Sequence, residues 1–190
     1  VRVEDGLLKI TAKRQDIAGF EYTSARIISR DKYEFQYGRV DIRAKLPTGV
    51  GTWPALWLLG ANFNEVGWPE CGEIDIMEHW GHDPTVIAGS LHTPMSHGDT
   101  WTNGHTIVSD YDEQFHIYSI DWNENRIQFF VDDVLYYTYN PSPKTDENWP
   151  FDQDAFFILN VAVGGSWFDI DPEFSLSLIH ISEPTRLSGI

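Results

Sequence analysis

Apolar and polar residues alternate along most of this chain with the period of two expected of strands half buried in a sheet. Leu8, Ile10 and Ala12 alternate with Lys9 and Thr11; Val40, Ile42, Ala44 and Leu46 alternate with Arg39, Asp41, Arg43 and Lys45. Trp53, Ala55 and Trp57 share one face of the next segment, where Pro54 suits a strand start or edge. Residues 126–131 and 135–139 form a predicted hairpin turned at Asp132-Asp133, and residues 156–163 an apolar strand interrupted by Asn160. Turns rich in Gly, Pro, Asn and Asp separate these runs, and no stretch sustains a helical period, repeats or resembles a linker. The pattern predicts one all-β domain, an antiparallel β-sandwich. The polar stretch 93–114 is long for a connection. It reads either as disordered or as a lip over a site, with His97, Trp101 and His105 on it.

One segment breaks the period. In residues 72–79, Glu73 and Asp75 share a face while Ile74 and Ile76 point to a core, but position 77 is Met and the third acid is Glu78. One inserted residue, a β-bulge near Met77, returns Glu78 to the face of the other two. Three acids on one face repel one another, a cost no structural role requires, although a solvated edge strand would show the same residues. Retaining glycoside hydrolysis needs two carboxyl groups about 5–5.5 Å apart across the scissile bond. Glu73 and Glu78 start at roughly four strand steps, ~13 Å, and inward-leaning side chains close most of that. The pattern therefore suggests Glu73 as nucleophile, Glu78 as acid/base and Asp75 as a helper that orients Glu73 and raises the pKa of the acid.

Composition narrows the partners. A net charge of −16 over 190 residues argues against nucleic acid and anionic membranes, and leaves neutral or cationic substrates open. No apolar run is long enough to span a bilayer as a helix. The single cysteine, Cys71, excludes an intrachain disulfide and a cysteine-rich zinc site, and reads as a small strand-entry residue. Glu78, His79, His82, His92 and His97 cluster in sequence, but His79 points away from Glu78 and His82 follows a glycine turn, so no metal ligand is assigned. Aromatic residues reach 14%, with 8 Trp, and such rings suit the apolar faces of sugars as well as a core. His92, at the end of a strand of the same sheet, is placed against sugar near Glu78, or is a satisfied structural histidine.

Glu73-Ile-Asp-Ile-Met-Glu78 resembles the signature of glycoside hydrolase family 16, and the extra Met77 resembles its bulged branch. Gly-Thr-Trp53-Pro-Ala-Leu-Trp57, Trp68-Pro-Glu-Cys-Gly-Glu73, Tyr37-Gly-Arg-Val-Asp-Ile-Arg43-Ala-Lys-Leu-Pro47 and Leu159-Asn160-Val-Ala-Val-Gly-Gly-Ser-Trp167 are similar to the endo-β-1,3-glucanases (laminarinases) of that branch. The resemblance implies a β-jelly-roll with a concave sheet forming an open glycan cleft, and the same roles for the three acids. It makes Arg43, Trp53, Trp57, Trp68, Asn160 and Trp167 cleft candidates, the indoles stacking on glucose rings and Arg and Asn bonding hydroxyls; core packing is the alternative for each Trp. It further implies a retaining endo-β-1,3-glucanase acting on β-1,3- or mixed β-1,3-1,4-glucans as a secreted or periplasmic monomer. No cofactor is required, though a structural calcium between the chain ends occurs in the family. A non-catalytic β-glucan-binding module is the alternative from another class, disfavoured by retention of all three acids. An agarase or carrageenase is the rival within the family; a sulfated substrate would want more basic residues.

The resemblance covers residues 1–174, expected to be the catalytic domain. Family members usually begin some tens of residues earlier and close with a further strand. Residues 175–190 instead resemble a translated sequencing adapter. The expectation is a jelly roll lacking its N- and C-terminal strands and carrying a non-native tail, with a divergent last strand through Ser177, Leu178, Ile179 and Ile181 as the alternative. No signal peptide is visible.

Overall fold

The computed structural model describes residues 1–164 and 176–188. The alternating runs become strands β1 (Arg2–Glu4), β2 (Leu7–Ile17), β3 (Phe20–Thr23), β4 (Arg26–Ile28), β5 (Glu34–Phe35), β6 (Gly38–Lys45), β7 (Thr52–Gly60) and β8 (Glu73–His79). They continue with β9 (Val86–His92), β10 (Asn103–Ile107), β11 (His116–Trp122), β12 (Ile127–Val131), β13 (Val134–Tyr139), β14 (Ala155–Val163) and β15 (Leu176–Ser188). Among the described residues the one helix is a single turn, α1 (Phe63–Val66), between β7 and β8.

Two antiparallel sheets result. One runs β1-β2-β15-β6-β11-β12-β13 with β3 on β2; the other runs β10-β9-β8-β7-β14-β4 with β5 on β14. Their facing sides hold the apolar half of each alternation. Ile10, Val40, Ile42, Tyr118, Ile120, Trp122 and Phe129 come from the first sheet, and Leu56, Leu58, Ile74, Ile76, Met77, Ile87 and Leu91 from the second. This is the predicted antiparallel sandwich. Burying such side chains contributes roughly 1.5–3 kcal/mol each before conformational entropy is counted. Trp122 and Trp149 belong to this core. The β12–β13 hairpin turns at Asp132 and Asp133 as predicted, with φ of 49° and 64°, the left-handed pair that a two-residue turn needs to match strand twist.

The ends require a correction. The expected jelly roll lacks a last strand, yet Leu176–Ser188 lies as β15 between β2 and β6. The cause is its own period of two: Ile179 and Ile181 turn into the core beside Ile10 and Ala44. The register with β6 slips between Ser182 and Arg186 and then resumes, Arg186 to Ser188 pairing with Asp41 to Arg39.

Candidate active site

β8 is an interior strand of the second sheet, flanked by β7 and β9, and its irregularity builds the site. Against β9, Glu73 pairs with His92 and Asp75 with Ser90, but the next pairing is Glu78 with Ala88. Ile76 and Met77 thus oppose the single residue Gly89. The register with β7 slips at the same level, between Leu56 and Trp57. That is the bulge expected near Met77, and both of its residues point into the core. Gly89 is required there, because a Cβ would meet the Phe129 ring and the Tyr136 hydroxyl oxygen at 2.5 Å. Gly72, which leads into β8, has φ +71°, and a Cβ there would lie 2.7 Å from the Pro150 carbonyl oxygen.

Each carboxylate has its own partners. Trp68 Nε1 donates to Glu73 Oε2 at 2.8 Å. Trp53 Nε1 donates to Glu78 Oε1 at 3.0 Å, and Ser90 Oγ to Glu78 Oε2 at 2.8 Å. His92 Nε2 lies 3.2 Å from Asp75 Oδ2 and 3.8 Å from Glu73 Oε1. The electrostatics are those of crowded, dehydrated acids. Burial, then the charge of Asp75, pushes Glu73 up to about 8, opposed by His92 and the Trp68 indole. Burial and the nearby Glu78 hold Asp75 well above the usual carboxylate range. Burial also raises Glu78, against the opposing pull of Ser90, His92 and Trp53.

A cleft of about 460 Å³ opens over these groups, walled by Trp53, Trp68, Trp80, His82, Ser90, His92 and the loop residues Gly98, Asp99, Thr100 and Asn103. Trp57 and Asn160 lie on the neighbouring strands β7 and β14. There Trp57 Nε1 donates to Asn160 Oδ1 at 2.8 Å, and the Arg26 guanidinium covers the indole at 5.2 Å. Trp167 lies outside the described residues.

Two placements differ from expectation. Arg43 is on β6, in the opposite sheet, with Nη1 donating to Ser182 Oγ at 2.7 Å and its guanidinium over Phe115. Alternation put it correctly on the polar face of its strand, but that face is the outer face of the other sheet. His92 sits beside Glu73 and Asp75 because β9 pairs it with Glu73, five residues from the expected Glu78. His79 is a core residue, its ring 4.4 Å from Tyr111 and its pKa lowered to about 4 by burial. Ser90, Trp80 and Asn103 were not anticipated; Ser90 shares with Ala88 and His92 the period-two face of β9, which was the available signal.

With this geometry the comparisons are specific. The profile described as Glycosyl hydrolases family 16 matches residues 1–174. The chain belongs to family 16 of the glycosyl hydrolases. Family 16 relatives include a protein named Beta-glucanase from Rhodothermus marinus, 44% identical over 184 residues that cover 90% of this chain and 64% of that protein. The chain therefore spans less than two thirds of that relative's length. Among solved family 16 structures, the laminarinase from Flavobacterium sp. UMI-01 is 45% identical with a TM-score of 0.87, over 95% of this chain and 80% of that one. The laminarinase catalytic domain from Thermotoga maritima MSB8 is 42% identical with a TM-score of 0.88, over 94% and 76%.

Glu73, Asp75 and His92 also bring one ligand atom each within 4.8 Å of one another. Among the described residues this is the one such cluster of His, Cys, Asp and Glu, and it lies at the centre of the cleft. No helix among the described residues is long and apolar enough to cross a membrane.

Proposed function

We propose that this chain carries the catalytic activity of a retaining endo-β-1,3-glucanase that cleaves laminarin-like and mixed-linkage β-glucans. The observation that carries the reading is the bulged strand: it sets three carboxyl groups on one face, each with different partners, beneath an indole-walled cleft. Asp75, the most enclosed of the three, is held well above the usual carboxylate range by its burial and by the nearby Glu78. The Trp68 indole N–H and His92 favour Glu73 as an anion, against its burial and the charge of Asp75. Glu73 attacks the anomeric carbon, while Glu78, whose pKa burial raises, gives its proton to the departing glycosidic oxygen. In the second half, the ionised Glu78 takes a proton from water. The water oxygen displaces Glu73 from the anomeric carbon, and the configuration is retained.

The decisive assay is release of reducing ends from laminarin, mixed-linkage glucan and agarose. Cleavage of the first two with net retention is expected. Activity on agarose alone would overturn the substrate, and tight binding of laminarin without cleavage would favour a recognition module. We further propose that the protein works outside the cytoplasm as a monomer, which sedimentation and fractionation of the source cells would test.

His92 gives a second handle. When protonated it lowers the pKa of both Glu73 and Glu78. The reaction needs Glu73 ionised and Glu78 protonated, so His92→Gln raises both values and slides the bell of kcat/KM to higher pH. A profile that stays in place, or moves to lower pH, counts against an electrostatic role for His92.

A further inference from the structure

The loop from Thr93 to Thr102 is held far more firmly than a surface loop needs to be. Thr100 Oγ1 and Thr102 Oγ1 both donate to the Leu91 carbonyl oxygen, at 2.9 and 2.6 Å, and the two hydroxyl oxygens are 2.8 Å apart. Ser96 Oγ lies 2.6 Å from Thr100 Oγ1 and accepts the Trp101 backbone N–H at 3.1 Å. Ser96, Thr100 and Thr102 are all buried. At the apex of this network Trp101 is 68% exposed. Among the described residues its ring has no aromatic or cationic partner. Hydrogen bonds on both sides thus hold a large apolar side chain out in water, a cost with no return in folding.

The position of the ring suggests what it is for. Gly98, Asp99, Thr100 and Asn103, on either side of it in sequence, line the cleft. Asn103 pairs in β10 with Ser90, the residue that binds Glu78, so Asn103 faces the carboxylates' side of the sheet. Trp101 lies in the bend that leads into β10, between the cleft-lining Thr100 and Asn103. The strand it leads into, β10, is the edge of the sheet, two strand spacings or roughly 10 Å from β8. A sugar held at the carboxylates does not reach it; a longer chain leaving the cleft does. The surrounding charge, −16 overall, selects a neutral occupant.

We propose that Trp101 is a binding platform at the rim of the cleft, stacking a residue of a β-glucan polymer beyond those held at Glu73 and Glu78. The inference rests on the glucanase reading and adds to it a preference for long chains. Trp101→Ala is compared with the parent on laminarin and on laminaritriose. The ratio of kcat/KM on laminarin to that on laminaritriose falls roughly three- to tenfold, the value of one aromatic stacking contact, and Trp101→Tyr recovers most of the loss. In a Glu73→Gln background, Trp101→Ala weakens laminarin binding by a similar factor. The melting temperature stays within about 2 °C, since the exposed ring packs against little. An unchanged ratio with unchanged laminarin binding would overturn the platform and leave the glucanase reading standing. A parent that neither binds nor cleaves laminarin would overturn both.

Discussion

Glu73→Gln lowers kcat on laminarin by on the order of 10⁴-fold and leaves laminarin binding within a few-fold of the parent. The side chain proposed to attack the anomeric carbon is replaced by an amide of the same shape, which keeps an oxygen for the Trp68 indole to donate to. Covalent capture of the sugar stops; the walls of the cleft do not change. The measurement is single-turnover kinetics beside calorimetric titration with laminarin. Turnover within tenfold of the parent would remove Glu73 from the nucleophile's role. Loss of binding in proportion to turnover would mean that the substitution damaged the cleft.

The same substitution stabilises the protein in alkali. Glu73 ordinarily titrates at 4.5 and is pushed up to about 8 in the folded chain. Between those values the native state binds a proton that the unfolded chain has lost, so the stability of the parent falls as pH rises from 4.5 and levels off above 8. Gln carries no proton to lose and no charge to bury. The parent and Glu73→Gln therefore melt together near pH 4 and separate as pH rises. By pH 8 the gap is on the order of 2 kcal/mol, about 4–8 °C for a domain of this size, less than the full pKa displacement implies because Asp75 takes part of the proton load. Melting curves at four or five pH values test this. A gap that is constant across the range, or that closes as pH rises, refutes the account of a strained carboxyl cluster.

The sandwich and the catalytic strand were legible because each rests on local periodicity. Glu78 stands one residue out of phase with Glu73 and Asp75, and only a bulge reconciles that with the buried Ile74 and Ile76. What period two does not carry is which sheet a strand joins, and that is why Arg43 reads as a cleft residue from its motif but lies on the outer face of the first sheet. Nor does it carry the pairing between strands. His92 was found, but its partnership with Asp75 depends on the β8–β9 register, which the bulge itself shifts. The loop before β10 was opaque for another reason. Its Ser and Thr residues have the composition of a solvated turn, and only the folded chain shows their hydroxyls turned inward onto Leu91. Ser90 offered a clear position and an uninformative side chain. The final strand shows the reverse: two isoleucines in phase sufficed to seat Leu176–Ser188 in the sheet.

Three indoles proposed to face the glucan, Trp53, Trp57 and Trp68, each have the ring N–H engaged by another side chain, on Glu78, Asn160 and Glu73 respectively. A tryptophan fixed at both ends has lost its rotamer freedom before any sugar arrives, so substrate binding avoids about 0.5–1.5 kcal/mol of ordering cost per ring. It has also surrendered its only hydrogen-bond donor. These rings therefore sense a sugar by the flatness of its apolar face and are indifferent to the direction of its hydroxyls. On the proposed function, discrimination among linkages is then left to the shape of the cleft.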